Sequence, residues 1–262
     1  MGDSVLPSHF AELDAALPGG GWPARALTEL LLPHPGVGEL RLLAPVLAAV
    51  QQAGRSLMWF DPPAAPCAWA LGALGLDTQQ LVVVHGSSPG VGPASKLQRQ
   101  TGERRWGRGL AGAADMLWAL EQALKSGHVG AVLAWLPPRL PAETLRRLQL
   151  AAQGHDGPAF VLRDVAARSQ ASAAPLRLLL AAAGADALSV NLFKRRGPPL
   201  AQPLLLALPP VLSPSALARS LRPGRRQSVV PPGEVPRQVS YSNSVGQAEE
   251  LTARAALNLH RA

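Results

Sequence analysis

The stretch Leu30-Leu31-Leu32-Pro33-His34-Pro35-Gly36-Val37-Gly38-Glu39-Leu40 decides how the rest of the chain is read. An apolar run with the continuity of a buried strand enters a turn of Pro and Gly, and a helical pattern leaves it. That is the strand–loop–helix layout of a phosphate-binding loop. The chemistry of such a loop is missing. A working loop places Lys after its last Gly, to reach the phosphates, and then Ser or Thr, to hold magnesium. Here Glu39 and Leu40 follow Gly38, and a carboxylate at that point would repel a triphosphate. Pro35, Gly36, Gly38, Glu39 and Leu40 therefore read as a degenerate loop in which the glycines make the tight turn and no cofactor is held.

Working outward, residues 26–32 are the first strand. Before them Phe10, Leu13 and Leu17 share one helical face, and the glycines at 19–21 end that helix. After the loop, Leu40, Leu43, Leu47 and Val50 mark a helix over 39–52, with Pro45 placed to kink it or shorten its first turn. Strands at 56–60, 81–85, 129–136 and 159–162 alternate with helices at 66–74, 113–126 and 140–153. Strands at 176–180, 188–193 and 204–208 follow with no long helix between them. Alternation first and a strand-rich end later predict an α/β fold: a mostly parallel twisted sheet flanked by helices, with antiparallel strands added at one edge.

The 262 residues allow one large domain or a domain with a tail. We divide them into a core, 1–208, and a flexible Pro/Arg-rich tail, 209–262, disordered over 213–244 and closing in a short helix at 247–259. Twenty-five Lys and Arg face 17 Asp and Glu, a net charge of +8. That balance suits an anionic partner, most often nucleic acid; a composition rich in Arg, Ala, Gly and Pro accounts for the same charge without one. Cys67 is the single cysteine, so no disulfide framework or Cys-based zinc site is available. His34, His85, His128 and His155 are scattered, with no carboxylate or Cys at ligand spacing, and no metal is assigned. The absence of a signal core or a spanning apolar run predicts a cytoplasmic protein with no membrane partner.

Several stretches resemble the ATPase core of RecA recombinases. They include Leu13 to Pro23 with its Leu17-Pro18-Gly19-Gly20-Gly21-Trp22-Pro23, Leu57-Met58-Trp59-Phe60-Asp61, Leu81-Val82-Val83-Val84, and Ala119 to Gly127 followed by Val129 to Leu136. With Leu27-Thr28-Glu29-Leu30-Leu31, Pro35 to Leu43, Leu145 to Ala152 and Lys194-Arg195-Arg196-Gly197, the chain more closely resembles the ImuA family, RecA-like accessory proteins of bacterial translesion synthesis. The resemblance spans roughly Pro7 to Leu208 and leaves out the tail. It implies a RecA-like phosphate-loop core in which the working site needs a loop Lys, the adjacent hydroxyl, a catalytic Glu after the second strand and an acidic residue ending the later core strand. Glu39 and Leu40 replace the first two, Pro62-Pro63 fill the region of the third, and Leu133-Ala134-Trp135-Leu136 lacks the fourth. The expectation is a protein that is not an enzyme.

The same resemblance implies an adaptor role in damage-induced (SOS) mutagenesis. Its partners would be an ImuB-like polymerase-like hub and an error-prone polymerase, with RecA and single-stranded DNA as further contacts. It also implies nucleoid association when active and, since the chain starts close to its core, no homofilament of the RecA kind. Candidate DNA or partner contacts are Arg104, Arg105, Trp106 and Arg108 in a long loop, where basic residues flank an aromatic. Arg163, in a second loop, and the cluster Lys194, Arg195 and Arg196 complete the set. The plainer readings are a flexible loop whose Trp106 tucks against the core and, for Lys194 to Arg196, a solvated face. Asp61 and Asp77 read as turn residues, and Trp59, Trp118 and Trp135 as core. Three other functions stay open: a SulA-like cell-division inhibitor that binds FtsZ, a DNA-dependent RecA-type ATPase, and a simple single-strand DNA-binding module.

Overall fold

The computed structural model describes residues 4–86, 113–198 and 200–210. An eight-stranded sheet forms the centre, in the order β10-β9-β8-β3-β7-β6-β4-β5. Its parallel strands are β3 (Leu27–Leu32), β4 (Ser56–Phe60), β5 (Leu81–Val84), β6 (Val129–Trp135), β7 (Ala159–Asp164) and β8 (Leu176–Gly184). β9 (Ala187–Lys194) and β10 (Leu204–Ala207) add on antiparallel at one edge. β1 (Val5–Leu6) and β2 (Trp22–Pro23) form a separate antiparallel pair.

Every residue of β3 and of β6 is buried, which is what a strand covered on both faces requires and why these segments read as nearly continuous apolar runs. Successive side chains point to opposite faces. Leu30, Leu32, Leu57, Trp59, Leu133 and Trp135 face one core, shared with α1 (Ala11–Ala16), α2 (Glu39–Gln52) and α3 (Ala68–Ala73). Leu27, Phe60, Val132, Ala134 and Val161 face the other, shared with α4 (Ala113–Ser126) and α5 (Ala142–Ala152). Helices thus cover both faces.

α2 runs from Glu39 to Gln52 with Pro45 inside it, as the spacing predicts. Two details differ from the sequence reading. The expected second loop starts as strand, because β7 runs on to Asp164, whose side chain accepts the Ala166 N–H at 2.7 Å and caps a 3-10 turn over Val165–Ser169. Trp118 is 62% exposed rather than core. The inward face of α4 is taken by Met116, Leu120 and Leu124, and residue 118 lies away from it. All but the first two residues of the tail at 209–262, including its terminal helix, and nearly all of the loop at 86–108 lie outside the described residues.

Candidate functional site

The loop between β3 and α2 is built on two glycines with left-handed backbone, Gly36 at φ 86° and Gly38 at φ 120°. Gly38 has a second constraint, since a Cβ there would meet Leu208 Cδ1 at 2.8 Å. Consecutive amides in such a turn, at the start of a helix, form a concave donor set for an anion. The anion is supplied from within. Glu39, the first residue of α2, turns its carboxylate back: Oε1 accepts the Gly36 N–H at 2.7 Å and Oε2 the Gly38 N–H at 3.1 Å. Glu39 as a whole is only 4% exposed. Glu39 therefore does more than repel: it takes the donors that a phosphate would use, and its charge suits the positive end of the helix dipole.

Beside this loop, at the carboxyl ends of β3, β4 and β6, lies a cavity of about 410 Å³. In open α/β sheets that is the end where ligands bind. Its wall brings together Glu39 and Leu40 from α2, Trp59 from β4, the Pro62, Pro63 and Pro66 segment that follows, Cys67, Ala70, Leu71 and Leu74 around α3, and Trp135 from β6. Trp59 and Trp135 meet edge to face with ring centroids 5.6 Å apart. Among the described residues, Glu39 is the one charged side chain in this wall, and no Lys, Arg or His lines it. Among the described residues, this wall holds neither a general base free of the backbone nor a cation for a transferring phosphoryl group. Asp61, at φ 49°, does turn the chain after β4, and Asp77 caps a 3-10 turn by accepting the Gln79 N–H at 2.8 Å.

Of the basic candidates among the described residues, none lines this cavity. Arg163 corrects the sequence reading. It has no exposed surface, because it lies on β7 beside β3 and its Nη1 donates to Glu29 Oε1 at 2.7 Å. Arg163 also donates to Pro138 O at 2.7 Å and to Gln170 Oε1 at 2.9 Å, so it cannot reach a phosphate. Arg177 on β8 completes the network, its Nε donating to Glu29 Oε2 at 2.5 Å and its Nη2 to Ala167 O at 2.9 Å. Sequence reasoning missed this triad. The signal was a lone carboxylate inside Leu27-Thr28-Glu29-Leu30-Leu31, a strand otherwise apolar enough for burial, where a charge requires a partner.

Lys194 ends β9 and Arg195 and Arg196 follow it, at the opposite end of the sheet, since Lys194 is in register with Arg177 near the start of β8. Lys194 Nζ donates to Ser172 O at 2.8 Å; partial burial, and then the Arg177 charge, hold its amine below the usual lysine range. Arg195 donates to Pro198 O at 2.7 Å and to Ala16 O at the end of α1. Arg196 is exposed. Arg104, Arg105, Trp106 and Arg108 lie outside the described residues. Among the described residues no group of three or more His, Cys, Asp and Glu could hold a metal ion, and no helix is long and apolar enough to cross a membrane.

No family model matches the chain. It is 28% identical over 134 residues to the cell division inhibitor SulA of Edwardsiella piscicida; the match covers 51% of this chain and 65% of that protein. The chain thus spans just under two thirds of the length of the curated relative it matches.

Proposed function

We propose that the protein is a non-catalytic, RecA-like accessory factor of the SOS response, an adaptor in translesion synthesis that joins an ImuB-like hub to an error-prone polymerase. The observation that carries the reading is the Glu39 carboxylate seated on the Gly36 and Gly38 amides. In a phosphate loop those donors and a Lys grip the nucleotide; here the donors are taken and the Lys is replaced by the group that takes them. The other positions where the family resemblance implies catalytic groups, Leu40, Pro62-Pro63 and the end of β6 at Trp135, contribute apolar wall to the same cavity. The strand order, parallel with antiparallel strands at one edge, supports the same reading by analogy of fold, which is a weaker warrant than the site. Co-purification of the full chain with the hub tests the adaptor role. Magnesium-dependent ATP turnover on single-stranded DNA, abolished by changing Gly36 or Gly38, would overturn the non-catalytic part.

A second reading has its own support. The relative at 28% identity is a cell division inhibitor, and on that reading this chain would act on FtsZ rather than on a polymerase. The two separate in one experiment: adding the purified chain to polymerising FtsZ and following light scattering. A stoichiometric drop in scattering favours the division reading; unchanged scattering with retained hub binding favours the adaptor.

A further inference from the structure

We propose that the cavity beside the Glu39-filled loop is a binding site for an uncharged, largely apolar small molecule, the ligand class having changed from phosphate to hydrocarbon or aromatic. The inference rests on the reading of the loop as self-occupied and goes beyond it, by assigning a use to the space left next to it. Three observations carry it. The cavity, about 410 Å³, falls within the range of roughly 300–1,000 Å³ typical of small-molecule sites, and it sits where ligands enter open α/β sheets. Among the described residues its wall is mostly Pro, Ala, Leu and two tryptophans, with Glu39 the one charge, so an anion entering there meets a carboxylate and no compensating cation from this wall. The carboxylate itself is satisfied by two backbone N–H groups; it asks for no cationic partner, and an apolar ligand can lie against it without leaving a bare charge.

The wall also contains rigid features that a transient gap between side chains would not have. Trp59 and Trp135 are 1% and 2% exposed and locked against each other. Pro35, Pro62, Pro63 and Pro66 fix the backbone around the mouth. A pre-formed apolar surface binds with little ordering cost.

Cys67, the single cysteine of the chain, is exposed and lines the cavity, and it serves as a local reporter. The experiment titrates the full-length protein with the neutral probe N-phenyl-1-naphthylamine, following energy transfer from tryptophan, and measures the rate of Cys67 alkylation by iodoacetamide with and without probe. The expected result is saturable binding in the micromolar range, at least fivefold slower alkylation in the presence of probe, and at least tenfold weaker binding in Ala70→Trp, which fills the space from α3. Leu74→Trp repeats the test from the next turn should Ala70→Trp fail to fold. Sodium phosphate and ATP at millimolar concentration compete with neither readout, whereas Glu39→Ala, which vacates the Gly36 and Gly38 amides, gains thermal protection from phosphate. Absence of saturable binding, or binding that leaves both Cys67 alkylation and the filled variants unaffected, overturns the assignment. ATP turnover by the wild type would instead overturn the non-catalytic reading and leave the probe result to stand or fall separately.

Discussion

Replacing Glu29 with Gln keeps the shape of the side chain and removes its charge from the most enclosed ion network of the protein. Glu29 and Arg163 have essentially no exposed side-chain surface, and Arg177 has 7%. Removing one member of a buried pair typically costs about 3–5 kcal/mol, because the surviving charge is left uncompensated in a medium that solvates it poorly. Here two guanidinium groups lose the same partner, which pushes the cost upward. The carbonyls of Pro138 and Ala167 and the Gln170 side chain still accept from them, which pulls it down. About 3–5 kcal/mol stands, a large share of the roughly 5–15 kcal/mol by which a domain is stable. At about 2–4 °C per kcal/mol for a chain of this size, the melting temperature falls by about 6–20 °C. Urea unfolding at neutral pH, with thermal melting beside it, gives both numbers. The companion variant, Glu29→Leu with Arg163→Met and Arg177→Met, removes all three charges together and recovers most of the loss, since a dry apolar replacement leaves nothing unpaired. A loss below about 1 kcal/mol in Glu29→Gln, or a triple variant less stable than the single one, would refute the claim that the network is sealed from water.

His155 supplies a pH dependence. Burial, reinforced by the Arg55 charge, pushes its imidazole down to about 4 from the usual 6.5. Below about pH 6.5 the unfolded chain takes up a proton that the folded one refuses, so stability is complete above that pH and drains away toward pH 4, by at most about 3 kcal/mol. Denaturant midpoints between pH 5 and 7 fall with acid in the wild type and fall less steeply in His155→Gln; parallel lines would count against it. Gly157→Ala places a methyl 1.8 Å from the carbonyl oxygen of Gly130, so it costs at the upper end of about 1–3 kcal/mol or beyond, and a melting temperature within 2 °C of wild type would be the contrary result. Arg41 binds Asp186 Oδ1 at 2.5 Å, Pro209 O at 2.6 Å and Ala185 O at 2.8 Å, tying α2 to the β8–β9 turn and to the segment after β10. Arg41→Ala therefore lowers stability by about 2 kcal/mol, read from urea curves; less than half of that would show the ties to be ornamental.

Much of the scaffold is legible in the order of residues, for definite reasons. β4 and α4 sit where the periodicity places them, because Leu57, Trp59, Met116, Leu120 and Leu124 serve cores whose geometry alternates at 2 and 3.6 residues. The antiparallel edge was legible because no helix intervenes after β8, and a strand that returns directly must return antiparallel. What local pattern could not give is pairing across distance. Arg163 reads as a loop cation until β7 is laid beside β3; then it is the partner of Glu29. Glu39 reads as a repulsive charge until the Gly36 and Gly38 turn folds it back on its own amides. Leu40, Pro62, Pro63 and Trp135 read as separate losses and become one wall only in three dimensions. Trp118 shows the reverse error, since size and apolarity suggest a core and helix phase decides against it.

The placing of β3 has a consequence for how the chain is made. It lies in the interior of the sheet, yet both its neighbours, β7 and β8, emerge long after it. Glu29 must wait 134 and 148 residues for its two arginines. During vectorial synthesis, β3, α2 and β4 leave the ribosome with the central strand unflanked, and any early collapse that buries Glu29 does so without a counter-charge. That penalty disfavours early burial of β3, so we expect its closure into the sheet to wait for β7 and β8, and long-range pairing of this kind slows folding.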